Sequence, residues 1–158
     1  MALKDYANRD NCIETDKRSI ISLNENNRYF ILHNDCKKEI QKVTVDKCLG
    51  IIGKQCDFLL IIEELGIEIY VELKGNKIGH ALAQLEATLQ NLAEGKGVKR
   101  YCYIVARKVN PSEFSGRQSK KKKRKQSPPP EVKRIQNKYN ALVDWKSGKL
   151  EKKLSKLI

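Results

Sequence analysis

The chain has 158 residues and a mass of 18.2 kDa, a length that suits one domain. Hydrophobic residues make up 40%, enough for one core. The longest apolar stretches, such as Phe58 to Ile62, fall far below the roughly 20 residues of a membrane-spanning helix, so a membrane span is excluded. Thirty-two Lys and Arg against 19 Asp and Glu give a net charge of +13, which points to a polyanionic partner.

Residues 1–27 are polar apart from Ile20, Ile21 and Leu23, and read as a short helix or irregular entry. Asn24, Asn26 and Asn27 then form a turn. The charged N-terminus, with Lys4, Asp5, Arg9 and Asp10, lacks an apolar signal region. Arg28 to His33 (RYFILH) is a strand rich in aromatic and branched residues. A second strand follows within Ile40 to Leu49. Cys56 to Ile62 (CDFLLII) is almost wholly apolar, as expected of a strand covered on both faces. Glu63 to Gly66 is a turn. Ile67 to Lys74 (IEIYVELK) alternates, with Ile67, Ile69, Val71 and Leu73 on one face and Glu68, Tyr70, Glu72 and Lys74 on the other.

Ile78 to Glu94 carries Ile78, Leu82, Leu85, Leu89 and Leu92 at spacings of 4, 3, 4 and 3, one apolar helical stripe. Gly95 and Gly97 end it. Arg100 to Arg107 is a further buried strand. Residues 110–131 hold Pro111, Gly116, the basic run Lys120 to Lys125 and Pro128 to Pro130, which reads as a flexible basic loop within the domain. Tyr139 to Trp145 reads as a late strand, and Lys149 to Ile158 as a short basic helix. The order of strands and helix implies an α/β fold with a mixed sheet in a single domain over 1–158.

The charge is unevenly placed. Residues 1–95 hold 12 basic and 15 acidic side chains, net −3, and residues 96–158 hold 20 and 4, net +16. Such a rear half suits nucleic acid. Five cysteines, odd in number and without a C-x-x-C pair, argue against disulfides and zinc and for a reducing cytosol.

The chemistry concentrates in the hairpin Cys56 to Lys74. Pairing Ile62 with Ile67 across the turn sets Asp57 opposite Glu72, with side chains about 5 Å apart at Cβ. Two carboxylates facing each other among apolar residues repel unless something neutralises them. Lys74, two residues after Glu72, adds an ammonium to the same face. A divalent cation resolves the repulsion, since Mg²⁺ or Mn²⁺ takes oxygen ligands from few carboxylates, water, a backbone carbonyl such as that of Leu73, and substrate phosphate. Lys74 then has the role of orienting water or stabilising charge on phosphorus.

Asp57, followed after fourteen residues by Glu72-Leu73-Lys74, then Gly75 and a helix containing Gln84, resembles the PD-(D/E)xK nuclease superfamily over roughly residues 39–107. The resemblance implies a restriction-endonuclease-like αβββαβ core, with a central mixed sheet flanked by helices. It implies Mg²⁺- or Mn²⁺-dependent hydrolysis of phosphodiester bonds in DNA, less often RNA. Asp57 and Glu72 would be metal ligands, Lys74 the catalytic lysine and Gln84 a helix residue near the site. Many members add a first-helix glutamate, for which Glu39 is the candidate and Asp46 the second. The position before Asp57 is Cys56 rather than proline, and Thr88 stands where the exonuclease branch carries tyrosine.

Arg117, Lys120, Lys121, Lys122, Lys123, Arg124, Lys125, Lys133 and Arg134 are the candidate backbone-binding residues, giving affinity with little sequence specificity. His80 reads as a capping or packing residue, and Tyr101, Tyr103 and Trp145 as core. The absence of a G-x-x-x-x-G-K-[ST] loop excludes a P-loop motor. The reading is a small cytoplasmic nuclease, or nuclear where the host has a nucleus, supplemented by homodimerisation or recruitment by a partner protein. Its rivals are a non-catalytic nucleic-acid-binding module of the same fold, an RNase effector and a protein-binding adaptor.

Overall fold

The computed structural model describes residues 10–73, 77–107 and 128–158. Among the described residues nine strands and two α-helices stack in three layers. The strands are β1 (Ile13–Asp16), β2 (Ile20–Glu25), β3 (Arg28–His33), β4 (Ile40–Thr44), β5 (Phe58–Ile62), β6 (Ile67–Glu72), β7 (Lys99–Ala106), β8 (Ala141–Ser147) and β9 (Lys149–Lys153). The helices are α1 (Ile78–Leu92) and α2 (Pro130–Tyr139).

The middle layer is a six-stranded mixed sheet in the order β1-β4-β5-β6-β7-β8. Strands β4, β5 and β6 form an antiparallel meander, α1 crosses over, and β7 pairs parallel to β6 and β8 parallel to β7. One face packs on α1 and α2. Leu59, Tyr70, Cys102 and Ile104 meet Leu82, Leu85, Leu89 and Ile135 there. The other face packs on a three-stranded sheet of order β2-β3-β9, where Ile67, Ile69, Val71 and Tyr103 meet Leu23, Phe30, Leu32 and Leu150. Cover on both sides explains why β5 reads FLLII without a polar break. The alternation of β6 decides which layer each residue meets.

The α/β class and mixed sheet agree with the sequence reading, and several elements differ. Within the entry expected as helix or irregular chain, residues 13–16 and 20–25 form β1 and β2 instead, and β2 makes a hairpin with β3, the strand expected at Arg28 to His33. Asn26 and Asn27, at φ 51° and 61°, make the two-residue turn, a left-handed pair that asparagine tolerates better than most residues. Among the described residues no α-helix precedes β4, so the first helix of the expected αβββαβ order is absent there. Among the described residues helices cover one face of the large sheet, and a second sheet covers the other.

Residues 149–158 form β9 and a 3₁₀ turn, Leu154–Lys156, rather than a helix. The spacing of Leu150, Leu154 and Leu157 mimics a helical stripe, yet β9 pairs in parallel with β3 and all three leucines enter the core between the sheets. Helix α2 was not expected. It opens with Pro130 in its first turn, where the missing N–H has no helical partner to lose. The rest of the expected basic loop, through residue 127, lies outside the described residues.

A disulfide joins Cys12 to Cys48, with Cα atoms 5.7 Å apart, contrary to the expectation of unpaired cysteines. Antiparallel pairing of β1 with β4 brings the start of one strand beside the turn that leaves the other. The pairing removes the argument from cysteine count for a reducing compartment. Cys56 and Cys102 are free and buried, and burial pushes both thiols well up from their ordinary range. No helix among the described residues is long and apolar enough to cross a membrane.

Candidate active site at the ends of strands β5 and β6

The observed register is the one the hairpin implies as far as Phe58. Ile62 pairs with Ile67 and Phe58 with Val71, where the ladder ends; Asp57 lies one residue beyond it and is not in register with Glu72. The Asp57 amide donates to the Val71 carbonyl at 3.1 Å, and the Asp57 carbonyl accepts from the Val45 amide at 3.0 Å. Alternation from Leu59 and Tyr70 puts both carboxylates on the face that α1 covers. Asp57 is 3% exposed and Glu72 0%. The negative field of the pair reaches Cys56, where it adds to burial in holding the thiol protonated.

Asp57 is also bonded to the chain that follows Glu72. Its Oδ2 accepts from the Leu73 amide at 2.7 Å. The Leu73 carbonyl in turn accepts from Nη1 of Arg28 at 3.0 Å. Leu73 is thus held through its backbone by the side chain just ahead of β5 and by one from β3. The sequence offered its carbonyl as a cation ligand; here that oxygen already receives a guanidinium, which repels a second positive charge.

Helix α1 is fastened to the same end of the sheet. Gln84 Nε2 donates to the Gln55 carbonyl at 3.1 Å. Thr88 Oγ1 accepts from the Cys56 amide at 2.8 Å and donates to the Gln84 carbonyl at 2.8 Å. Gln84 therefore steadies the residues leading into Asp57. Thr88 satisfies a buried amide that has no strand partner there.

The structure does not bring Glu39 to this pair. The β4–β5 register runs Glu39 to the far end of the sheet, six positions before Val45, about 20 Å along an extended strand. Its side chain is exposed and bridges to Lys17 at 3.0 Å. Asp46, next to Val45, lies at the same end as Asp57. Lys74, Arg117 and Lys120 to Lys125 lie outside the described residues. Lys133 is exposed on α2. Arg134 is engaged by Glu86 of α1 through two bonds of 2.6 and 2.7 Å, so its guanidinium fastens helix to helix. His80 is exposed. Tyr101 and Tyr103 pack as expected, with Tyr103 stacked 5.2 Å from Phe30.

The donor set bears on a metal. Among the described residues no three His, Cys, Asp or Glu side chains are grouped to hold an ion. Two buried carboxylates at one end of the sheet are what the fold assembles. That number fits Mg²⁺ or Mn²⁺, which keep several waters and use one or two protein carboxylates, and does not fit a closed zinc site.

Sequence reasoning missed Arg28, because its contact with Leu73 spans 45 positions and joins two sheets. Comparisons with protein-family models, with curated proteins and with solved structures return no match.

Proposed function

We propose that the chain is a metal-dependent nuclease of the PD-(D/E)xK type that hydrolyses phosphodiester bonds in DNA. The observation that supports this reading is the buried pair Asp57 and Glu72 at one end of the sheet, where the Asp57 carboxylate accepts from the amide of Leu73, the residue after Glu72. It stands at the end of a βββαβ run (β4, β5, β6, α1, β7), with the sequence Leu73-Lys74 following it.

In this reading Asp57 and Glu72 hold Mg²⁺ or Mn²⁺. The ion, when bound, neutralises charge on the scissile phosphate and lowers the pKa of water. Asp57 keeps its Oδ2 on the Leu73 amide, which fixes the strand end from which Lys74 follows. Lys74, read from sequence alone, supplies the amine that orients water or offsets charge on phosphorus. Gln84 and Thr88 act as positioning residues through Gln55 and Cys56. The basic rear half, net +16, supplies affinity for the backbone, with the Lys120 to Lys125 run as its densest part. Homodimerisation or a recruiting partner would supply the specificity that a single small domain lacks.

The second reading is a nucleic-acid-binding module of the same fold without catalysis. It is favoured by the presence of only two clustered carboxylates among the described residues. Plasmid DNA and a matched RNA, incubated with Mg²⁺, Mn²⁺ or chelator, separate the two. The nuclease reading expects metal-dependent cleavage that Glu72→Gln and Lys74→Ala each lower by at least about 100-fold, roughly 2.7 kcal/mol of barrier. Unchanged circular dichroism shows that the variants fold. Binding without cleavage in either metal selects the module, and cleavage of RNA alone selects the RNase.

A further inference from the structure

We propose that the groove beside the β2–β3 turn is a phosphate subsite that takes a phosphodiester of a nucleic-acid backbone. The choice of phosphodiester rests on the nucleic-acid reading above. The groove has a volume of about 530 Å³ and is lined by Asn26, Asn27, Arg28, Arg107 and Gly148.

Arg28 is the telling residue. It is 9% exposed, and only one of its bonds is accounted for, from Nη1 to the Leu73 carbonyl. Its Nε is buried and has no acceptor. Among the described residues Arg28 joins no ion pair. A guanidinium that is buried, with no carboxylate partner among the described residues and a donor unmet, is costly, and an anion in the adjoining groove would offset its charge. Contrast Arg100, equally buried, which meets Glu68 at 2.9 Å and the Tyr139 carbonyl at 3.0 Å.

The surroundings suit a phosphate. Arg107 brings a second guanidinium from the end of β7, and the planar fork of arginine matches phosphate oxygens. Asn26 and Asn27 carry amide donors on a turn held by the hairpin register. Gly148 is fixed by its amide on the Ala106 carbonyl, 2.9 Å, and its carbonyl under the Tyr29 amide, 3.0 Å, so this wall is already formed. A side chain at Gly148 would meet a strained backbone at φ +76°, which keeps the wall bare. Two positive charges exceed the single charge of a phosphodiester, leaving the bound group fully neutralised.

Position ties the groove to the carboxylates. Arg28 grips Leu73, the residue next to Glu72. The two features thus share one strand end, with the carboxylates on the helix side and the groove on the side of the small sheet. A strand held in the groove is held beside the pair.

The test uses the full ¹⁵N-labelled chain in chelator, so that no cleavage occurs. Inorganic phosphate and a short DNA duplex without terminal phosphates are titrated separately. The Arg28 Nε–H signal and the Asn26, Asn27 and Gly148 amides are followed by NMR. The expected result is saturable shifts at these signals with both probes. Arg107→Gln, a change at an exposed residue, should weaken duplex binding several-fold. It should also lower the slope of log affinity against log salt by about one unit. Silence at these signals with both probes overturns the proposal. Shifts with inorganic phosphate alone overturn the backbone assignment and leave a free-phosphate site, and an unchanged salt slope for Arg107→Gln overturns the part given to that residue. Failure of the nuclease reading would appear separately, as intact plasmid in Mg²⁺ and Mn²⁺ with these shifts present.

Discussion

Asp57 has two tasks that substitution can separate. Its charge belongs to the pair with Glu72, and its Oδ2 satisfies the buried Leu73 amide. Asp57→Asn keeps an acceptor for that amide and removes the charge; Asp57→Ala removes both. The alanine variant should be less stable than the asparagine variant by about 1–3 kcal/mol, the cost of an unmet buried donor. Urea denaturation of the two side by side measures the gap, and equal midpoints would show that the Leu73 bond contributes nothing. Both variants should lose any metal-dependent cleavage. The pairing of β5 with β6, from Ile62 and Ile67 to Phe58 and Val71, was legible in the sequence because a four-residue turn between two apolar runs fixes the register. The Arg28 contact was not, since nothing local marks a partner 45 positions away.

Among elements, the joint between α1 and α2 rests on the side-on pair of Glu86 and Arg134. The Arg134 guanidinium holds the Glu86 carboxyl below its ordinary value of 4.5. A carboxyl lowered in the folded state stabilises it above that ordinary value, and the contribution is lost as pH falls through the folded value. Glu86→Gln should therefore lower Tm by about 2 °C at pH 7 and leave it unchanged near pH 2. Thermal scans at the two pH values check this, and an equal loss at both would point to packing instead of charge. The far end of the sheet is locked differently. Arg100 reaches Glu68, the Tyr139 carbonyl and the carbonyls of Glu94 and Gly95, joining β6 and β7 to both helix ends.

Elements with one strong period, such as α1 and β6, were legible. Strands β1 and β2 were not, because β1 is mostly polar and the outer face of β2 mixes Ile20 with Ser22 and Asn24, which left only Ile21 and Leu23 as an inward signal. Helix α2 was hidden by the prolines ahead of it, although proline in a first turn is itself a start signal. The helix expected at the end of the chain failed because strand pairing with β3 overrode a local apolar spacing.

For the molecule as a whole, the Cys12–Cys48 link closes a segment 36 positions long. Loop-closure entropy for that length gives about 4 kcal/mol of stabilisation. Cys12→Ala with Cys48→Ala should lower the denaturation midpoint accordingly. The wild-type chain in reductant should fall to the same midpoint, and an unmoved midpoint in reductant would refute the link. The paired cysteines were not legible because the turn that carries Cys48 back toward β1 is a tertiary feature.

The six-stranded sheet has β1 and β8 at its margins and β5 and β6 at its centre, covered above and below. Opening transitions should begin at the margins, so amide exchange should be fastest in β1 and β8 and slowest in β5, β6 and β7. Asp57 adjoins β5 and Glu72 ends β6, two of these three slow strands. Their alignment should outlast partial melting of the periphery, and heat should disperse them only when the chain unfolds globally.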